Sequence, residues 1–382
     1  MRYGTGKIFT IGVIMIEENK KIEYEFKILY AFSIIFIVMS HCYGGGISFF
    51  NEIFPYCTFA ISPFLFTSGY FYKPEYEQNV WQYIIKKIKR LIIPLYMWNF
   101  FIGILILIIQ NFGFCPNEHV NFQNLFIAPI TDGLQFTLNF GSWFIFPLFM
   151  TQVLNITVRK FFRFLNINVN EIIFLICCIL LGCLGVILST NNLNQGFFLI
   201  LNRILFFIPF FGMGIFYRKY KNYDNLSNLK YFSIILLSAL IIIYFNDGMP
   251  FVSVNIGDLK TSFILLPYII GALGTAFWFR ISKILVSSIG KSKYISLLAD
   301  NTYAIMIGQF LGFKVAGGIF ALLQLYTPYC QNFNVQAWKT VWNYYYLPHN
   351  LSQMLIIYTI AGIIFPILLQ KFINRINNIF VK

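Results

Sequence analysis

Residues 32–46 read FSIIFIVMSHCYGGG: an apolar run that reaches a histidine and stops at three glycines. No side chain between Phe32 and Ser40 titrates near neutral pH. His41 is therefore the first group along the stretch able to take and return a proton there. A run of this kind reads as the upper part of a membrane-crossing helix if the rest of the chain agrees. A histidine at such a helix end is either a reactive group or an ordinary residue near the lipid headgroups, and position alone leaves both open.

Composition agrees with a membrane setting. Of 382 residues, 58% are hydrophobic and 11% charged, with a mean hydropathy of +0.70, outside the range of soluble domains. Aromatic residues make up 20% of the chain, which suits rings packed in the core, against lipid and in interfacial belts. The net charge of +14 does not point to nucleic acid, because the basic residues are dispersed between hydrophobic segments instead of sharing one face. Seven cysteines show no metal spacing, and three histidines at 41, 119 and 349 do not make a metal site. Cys177, Cys178 and Cys183 sit in one apolar run as small hydrophobes. Cys57, Cys115 and Cys330 fall near outer regions, where pairing is open but not required. The opening MRYGTGKIFTIGVIM is too short to span and lacks a small-residue cleavage site, and Met15 is an alternative start.

A spanning helix needs about 20 mostly apolar residues, and ten candidates follow, at roughly 27–45, 55–72, 91–110, 142–158, 172–190, 197–217, 231–246, 261–280, 300–325 and 351–371. Charge tests the count, since short cytoplasmic loops carry the excess Lys and Arg. An inside N-terminus gathers Lys20, Lys21 and Lys27, then Lys73, Lys86, Lys87, Lys89 and Arg90, then Arg159, Lys160 and Arg163 on one side. Arg218, Lys219, Lys221, Lys230, Arg280, Lys283, Lys291, Lys293, Lys371, Arg375 and Lys382 join them. The opposite loops hold only Lys260 and Lys339. The expected fold is thus an all-α polytopic membrane protein of about ten transmembrane helices with both termini cytoplasmic. Residues 1–26 form an N-terminal segment, 27–371 the transmembrane domain and 372–382 a tail.

The long outer loops, 111–141 and 326–350, are rich in rings and amides, including Trp338, Trp342 and Tyr344 to Tyr346. Such loops either bind sugar, whose C–H faces stack on rings while hydroxyls pair with amides, or pack at an interface.

Chemistry narrows quickly. No Asp or Glu falls within a span, Glu171 and Asp300 standing at span ends, which weakens proton-coupled transport. There is no phosphate loop ending in Lys-Ser/Thr and no HExxH. Inside spans remain His41, Arg203 and Lys314. Tyr30 lies 11 residues and Lys27 14 residues before His41, so both project to roughly its face; Lys27 falls about 20 Å below it. A long donor with an anionic head and a reactive tip would fit that distance. The basic stretch WQYIIKKIKRLIIPLY either anchors to anionic lipid or contacts phosphates of a cytoplasmic cofactor.

Taken together, IIFIVMSHC, SPFLFTSGYFY, KKIKRLIIPLY, GSWFIFPLF, FFIPFFGMGIFYRK and NTYAIMIGQFLGF resemble, in order and spacing, the acyltransferase-3 family of bacterial integral membrane O-acyltransferases. The resemblance runs from about residue 26 along nearly the whole chain. It implies transfer of an acyl group, often acetyl from acetyl-CoA, to a hydroxyl of a cell-envelope glycan or lipid-linked saccharide, in the bacterial cytoplasmic membrane, with His41 catalytic. On this reading Lys27, Tyr30, Lys86, Lys87, Lys89, Arg90 and Arg203 are donor-binding candidates, and Ser68, Trp143 and Gln309 substrate-binding ones. Membrane lipid, acyl-CoA and the glycan are the expected partners, with no nucleic acid and no resident cofactor or metal. Two departures stand out: the family commonly carries Arg followed by ten residues and then the His, where this chain has Tyr30, and many members carry a late His, where it has Gln309. The alternative function is a glycan exporter of the same fold without acyl transfer; a structural partner of an envelope-assembly complex is a third.

Overall fold

The computed structural model describes residues 23–380 except 253, 254, 256–258, 260 and 262, with side chains as far as 375. Lys20, Lys21, Lys260, Lys382 and Met15 lie outside the described residues. The described chain is helical without strands: α1 Tyr24–His41, α2 Tyr56–Phe59, α3 Ser62–Tyr70, α4 Val80–Lys87, α5 Ile93–Gln110, α6 Ala128–Thr131, α7 Ile145–Phe164 and α8 Glu171–Thr190. Then follow α9 Gly196–Tyr220, α10 Asn228–Phe245, α11 Leu266–Ile289, α12 Lys293–Asp300, α13 Thr302–Tyr326, α14 Val335–Thr340 and α15 Leu355–Phe380. Among the described residues, nine helices are long and apolar enough to cross a membrane. The chain is a multi-pass membrane protein.

The expected second span, 55–72, is instead the broken pair α2 and α3, interrupted at Ala60 and Ile61. Pro63 explains the break: at the start of α3 it has no N–H to give and its ring clashes with the carbonyl four residues back. Such a break is tolerated where the segment is packed in protein, and all of α3 but Ser68 is buried. Its backbone lies directly on α9. A Cβ on Gly69 would strike the Phe211 carbonyl, and one on Gly214 the Phe66 carbonyl. Glycine at both positions lets the two helices touch main chain to main chain.

Two other spans differ from expectation. The third extends back to Val80 through a π-turn at Ile88–Ile92, because Pro94 cannot donate to the Arg90 carbonyl and the ladder widens there. Tyr303 Oη donates to the Leu91 carbonyl in this turn, at 2.9 Å. The span expected at 261–280 is α11, begun by Pro267 at its first turn and carrying Arg280 and Lys283 inside the helix. Both cations meet Asp224 just beyond α9, with Lys283 at 2.7 Å and Arg280 at 3.4 Å, which compensates their placement. α15 continues into the expected tail, to Phe380.

Helix α1 runs through the middle, packed on α2, α3, α11, α12, α13 and α15. At its end Gly44, Gly45 and Gly46 adopt φ of 85°, 63° and 76°. A side chain at Gly45 would also meet Thr359 Oγ1 and Met39, and one at Gly46 the Ser352 and Gln353 carbonyls. Glycine at 45 and 46 thus lets the chain turn hard against α15.

Candidate active site

His41 is the last residue of α1 and lines a cavity of about 210 Å³. Ile37 and Ser40 come from α1, Tyr56 and Cys57 from α2, and Phe140, Gly141, Trp143 and Phe144 from the 3-10 segment Thr137–Phe144. Phe251, Asn255 and Met306 close it. The imidazole is wedged edge-on between Phe310, with centroids 5.2 Å apart, and Phe140, at 6.0 Å. Its Nδ1 lies 3.1 Å from Gln309 Oε1. The main chain is fixed as well: Tyr345 Oη donates to the His41 carbonyl at 2.7 Å, satisfying one of the carbonyls that a helix end leaves open.

Behind the cavity sits Arg203, 1% exposed. Its guanidinium donates to the Asp132 carbonyl and twice to Asn255, at the carbonyl and at Oδ1, and lies 4.9 Å from the Trp143 ring centre. The charge is thus met by three oxygens and an aromatic face, as a buried guanidinium requires. Arg203 does not line the cavity, but it holds Asn255, which does. With Oδ1 taken by the guanidinium, what Asn255 has left to offer is its amide N–H pair.

Eleven residues below His41, about 16 Å along the helix, Tyr30 stacks on Phe64 at 5.0 Å. Thr67, Ser68 and Arg90 lie close enough to influence its hydroxyl. Of the expected donor-binding residues, Arg90 lies within electrostatic range of the Tyr30 hydroxyl, and Lys87 sits over the Tyr83 ring, 5.0 Å from its centre. Lys86 and Lys89 are exposed on the other side of the turn. Lys27 is engaged elsewhere, 4.0 Å from Asp300. Burial raises the Asp300 carboxyl above its ordinary range while Lys27 draws it back.

Of the expected substrate contacts, Trp143 lines the His41 cavity, Ser68 lies in the lower cluster, and Gln309 stands behind the histidine, fully buried. Trp342 adds an element outside: 41% exposed, it stacks on Phe140 at 5.4 Å, so rings run from the surface to the imidazole. Trp338 is structural, its Nε1 donating to the Lys314 carbonyl at 3.0 Å. Lys314 in turn donates to the Trp338 and Val341 carbonyls. Asn255 and Tyr345 escape a reading of the sequence for different reasons. Tyr345 belongs to the flagged ring cluster without a sign of its target, whereas Asn255 has no local signal at all. Two larger apolar grooves, about 460 Å³ along α7 and α8 and about 840 Å³ between α5 and α13, hold no histidine.

The sequence matches the family model described as Acyltransferase domain, of the acyltransferase-3 type, over residues 23–369. No curated protein and no solved structure matches it.

Proposed function

We propose, from the premise that this chain belongs to the acyltransferase-3 family and is a membrane acyltransferase, that it moves an acyl group, acetyl in the first instance, from an acyl-CoA thioester to a hydroxyl of a cell-envelope glycan. The observation that carries this reading is a histidine lining a cavity together with Trp143 and a guanidinium-held Asn255. His41 takes the proton of the acceptor hydroxyl, the oxygen attacks the thioester carbonyl, and the C–S bond breaks as the thiolate leaves and recovers the proton. The Asn255 amide hydrogens are suited to the oxygen on which charge develops, with Arg203 fixing their direction. Arg90, Lys87 and Tyr30 supply the anionic head of the donor with a site about 16 Å from His41 along α1. The ring series from Trp342 to Phe140 supports a saccharide acceptor, whose C–H faces stack on such surfaces. A bacterial cytoplasmic membrane is the location this chemistry implies.

The test is incubation of purified protein in liposomes with labelled acetyl-CoA and extracted envelope glycans. His41→Ala should lower label incorporation by about 10²–10⁴-fold at equal protein. Equal incorporation by the variant would remove His41 from the chemistry, and glycan movement without acetyl-CoA consumption would favour an exporter.

A further inference from the structure

An amide has one end that donates and one that accepts, and the two ends of Gln309 meet partners that distinguish them. Its Nε2 lies 2.8 Å from the carbonyl of Met306, one turn back on α13. A carbonyl only accepts, so the amide nitrogen must face it; the flipped orientation would oppose two oxygens. That keys Oε1 toward His41 Nδ1, at 3.1 Å. Oε1 also only accepts, so the hydrogen between them belongs to the imidazole. A neutral imidazole carries one N–H, and placing it on Nδ1 leaves the lone pair on Nε2.

We infer that Gln309 is a positioning residue: it fixes His41 in the Nδ1–H tautomer and makes Nε2 the atom that receives the acceptor proton. This rests on the acyl-transfer reading above and specifies which nitrogen performs it. The surroundings favour a lasting clamp. Gln309 is fully buried, the ring is held between Phe140 and Phe310, and the 3-10 segment closes on the keying carbonyl through Gly141, where any Cβ would strike Met306 O. The titratable groups near His41 are Cys42, Tyr56, Cys57 and Tyr345, and no carboxylate or cation among the described residues lines the cavity. No charge therefore competes with the amide in setting the proton. Gln309 does for His41 what an orienting carboxylate does in a catalytic triad, without adding charge.

The chain has three histidines, so His119→Asn with His349→Asn leaves His41 as the sole imidazole. Solid-state nitrogen NMR on ¹⁵N-histidine-labelled protein in lipid then reads the tautomer directly. The expected spectrum has a protonated Nδ1 and a bare Nε2. Gln309→Met, similar in size but with no acceptor oxygen, should mix the tautomers and lower acetyl-CoA-dependent transfer by about 10–100-fold. A protonated Nε2 in the otherwise native protein, or an unchanged tautomer in Gln309→Met, overturns the inference. An Nδ1–H spectrum from protein that turns over no acetyl-CoA upholds the clamp and overturns the acyl-transfer reading beneath it.

Discussion

Tyr30 stands where the family resemblance leads one to expect arginine, and Arg90, in the π-turn before Pro94, lies within electrostatic range of the Tyr30 hydroxyl. If this cluster holds the donor's phosphates, Arg90→Gln should raise KM for acyl-CoA by about 10–100-fold, the range for losing a charge-assisted bond, with kcat little changed. Lys86→Gln, on the exposed side of the turn, should leave KM within about twofold in the same steady-state assay, as surface changes usually do. The individual residues show how unevenly sequence reveals a site. His41 is legible because nothing near it in the apolar run can do proton chemistry. The basic stretch is legible as a cluster, but which members turn inward depends on a π-turn that composition does not announce. The partnership of His41 with Gln309 is illegible, because it joins positions 268 residues apart and a glutamine in an apolar helix has many possible partners.

Among elements, the contact of α3 with α9 and the ion cluster between α9 and α11 are the ones to test. Gly69→Leu or Gly214→Leu forces a side chain into opposing main chain, and each should cost at least about 3 kcal/mol, the upper end of the overpacking range. A fall in folded yield and in the detergent melting temperature measures it. Asp224 is subject to burial, which raises its carboxyl, yet Lys283, Tyr217 and Arg280 together hold it below its ordinary value. Its folded value being depressed, the stabilisation it gives is complete above about pH 4 and is lost as pH falls through the folded value. Asp224→Asn should therefore lower stability by about 2 kcal/mol at neutral pH, and the difference from wild type should vanish at strongly acidic pH in melting curves. The long spans were legible from length and hydropathy. The broken second one was not, since hydropathy averages across Pro63 and sees 55–72 as one run.

At the scale of the molecule, parity matters. The nine long spans among the described residues would alone leave their two ends on opposite sides, while the distribution of Lys and Arg calls for the same side. The two agree if α2 and α3 together make a tenth crossing. Their stretch, 56–70, is about 22 Å long at helical rise, shorter than the roughly 30 Å hydrocarbon core, so as a crossing it would depend on the protein packed around it. Epitope tags inserted at Asn51 and at Gln78 should then be reached by antibody from opposite faces of the membrane; labelling from the same face would refute the tenth crossing. One last consequence comes from α13. Gln309 and Lys314 lie on the same helix, and the first grips the imidazole while the second grips the outer loop at Trp338 and Val341. That helix is a rod with the His41 ring fastened at one point and the Trp338–Val341 loop at another. A ligand that pulled on that loop would pull on the ring through α13.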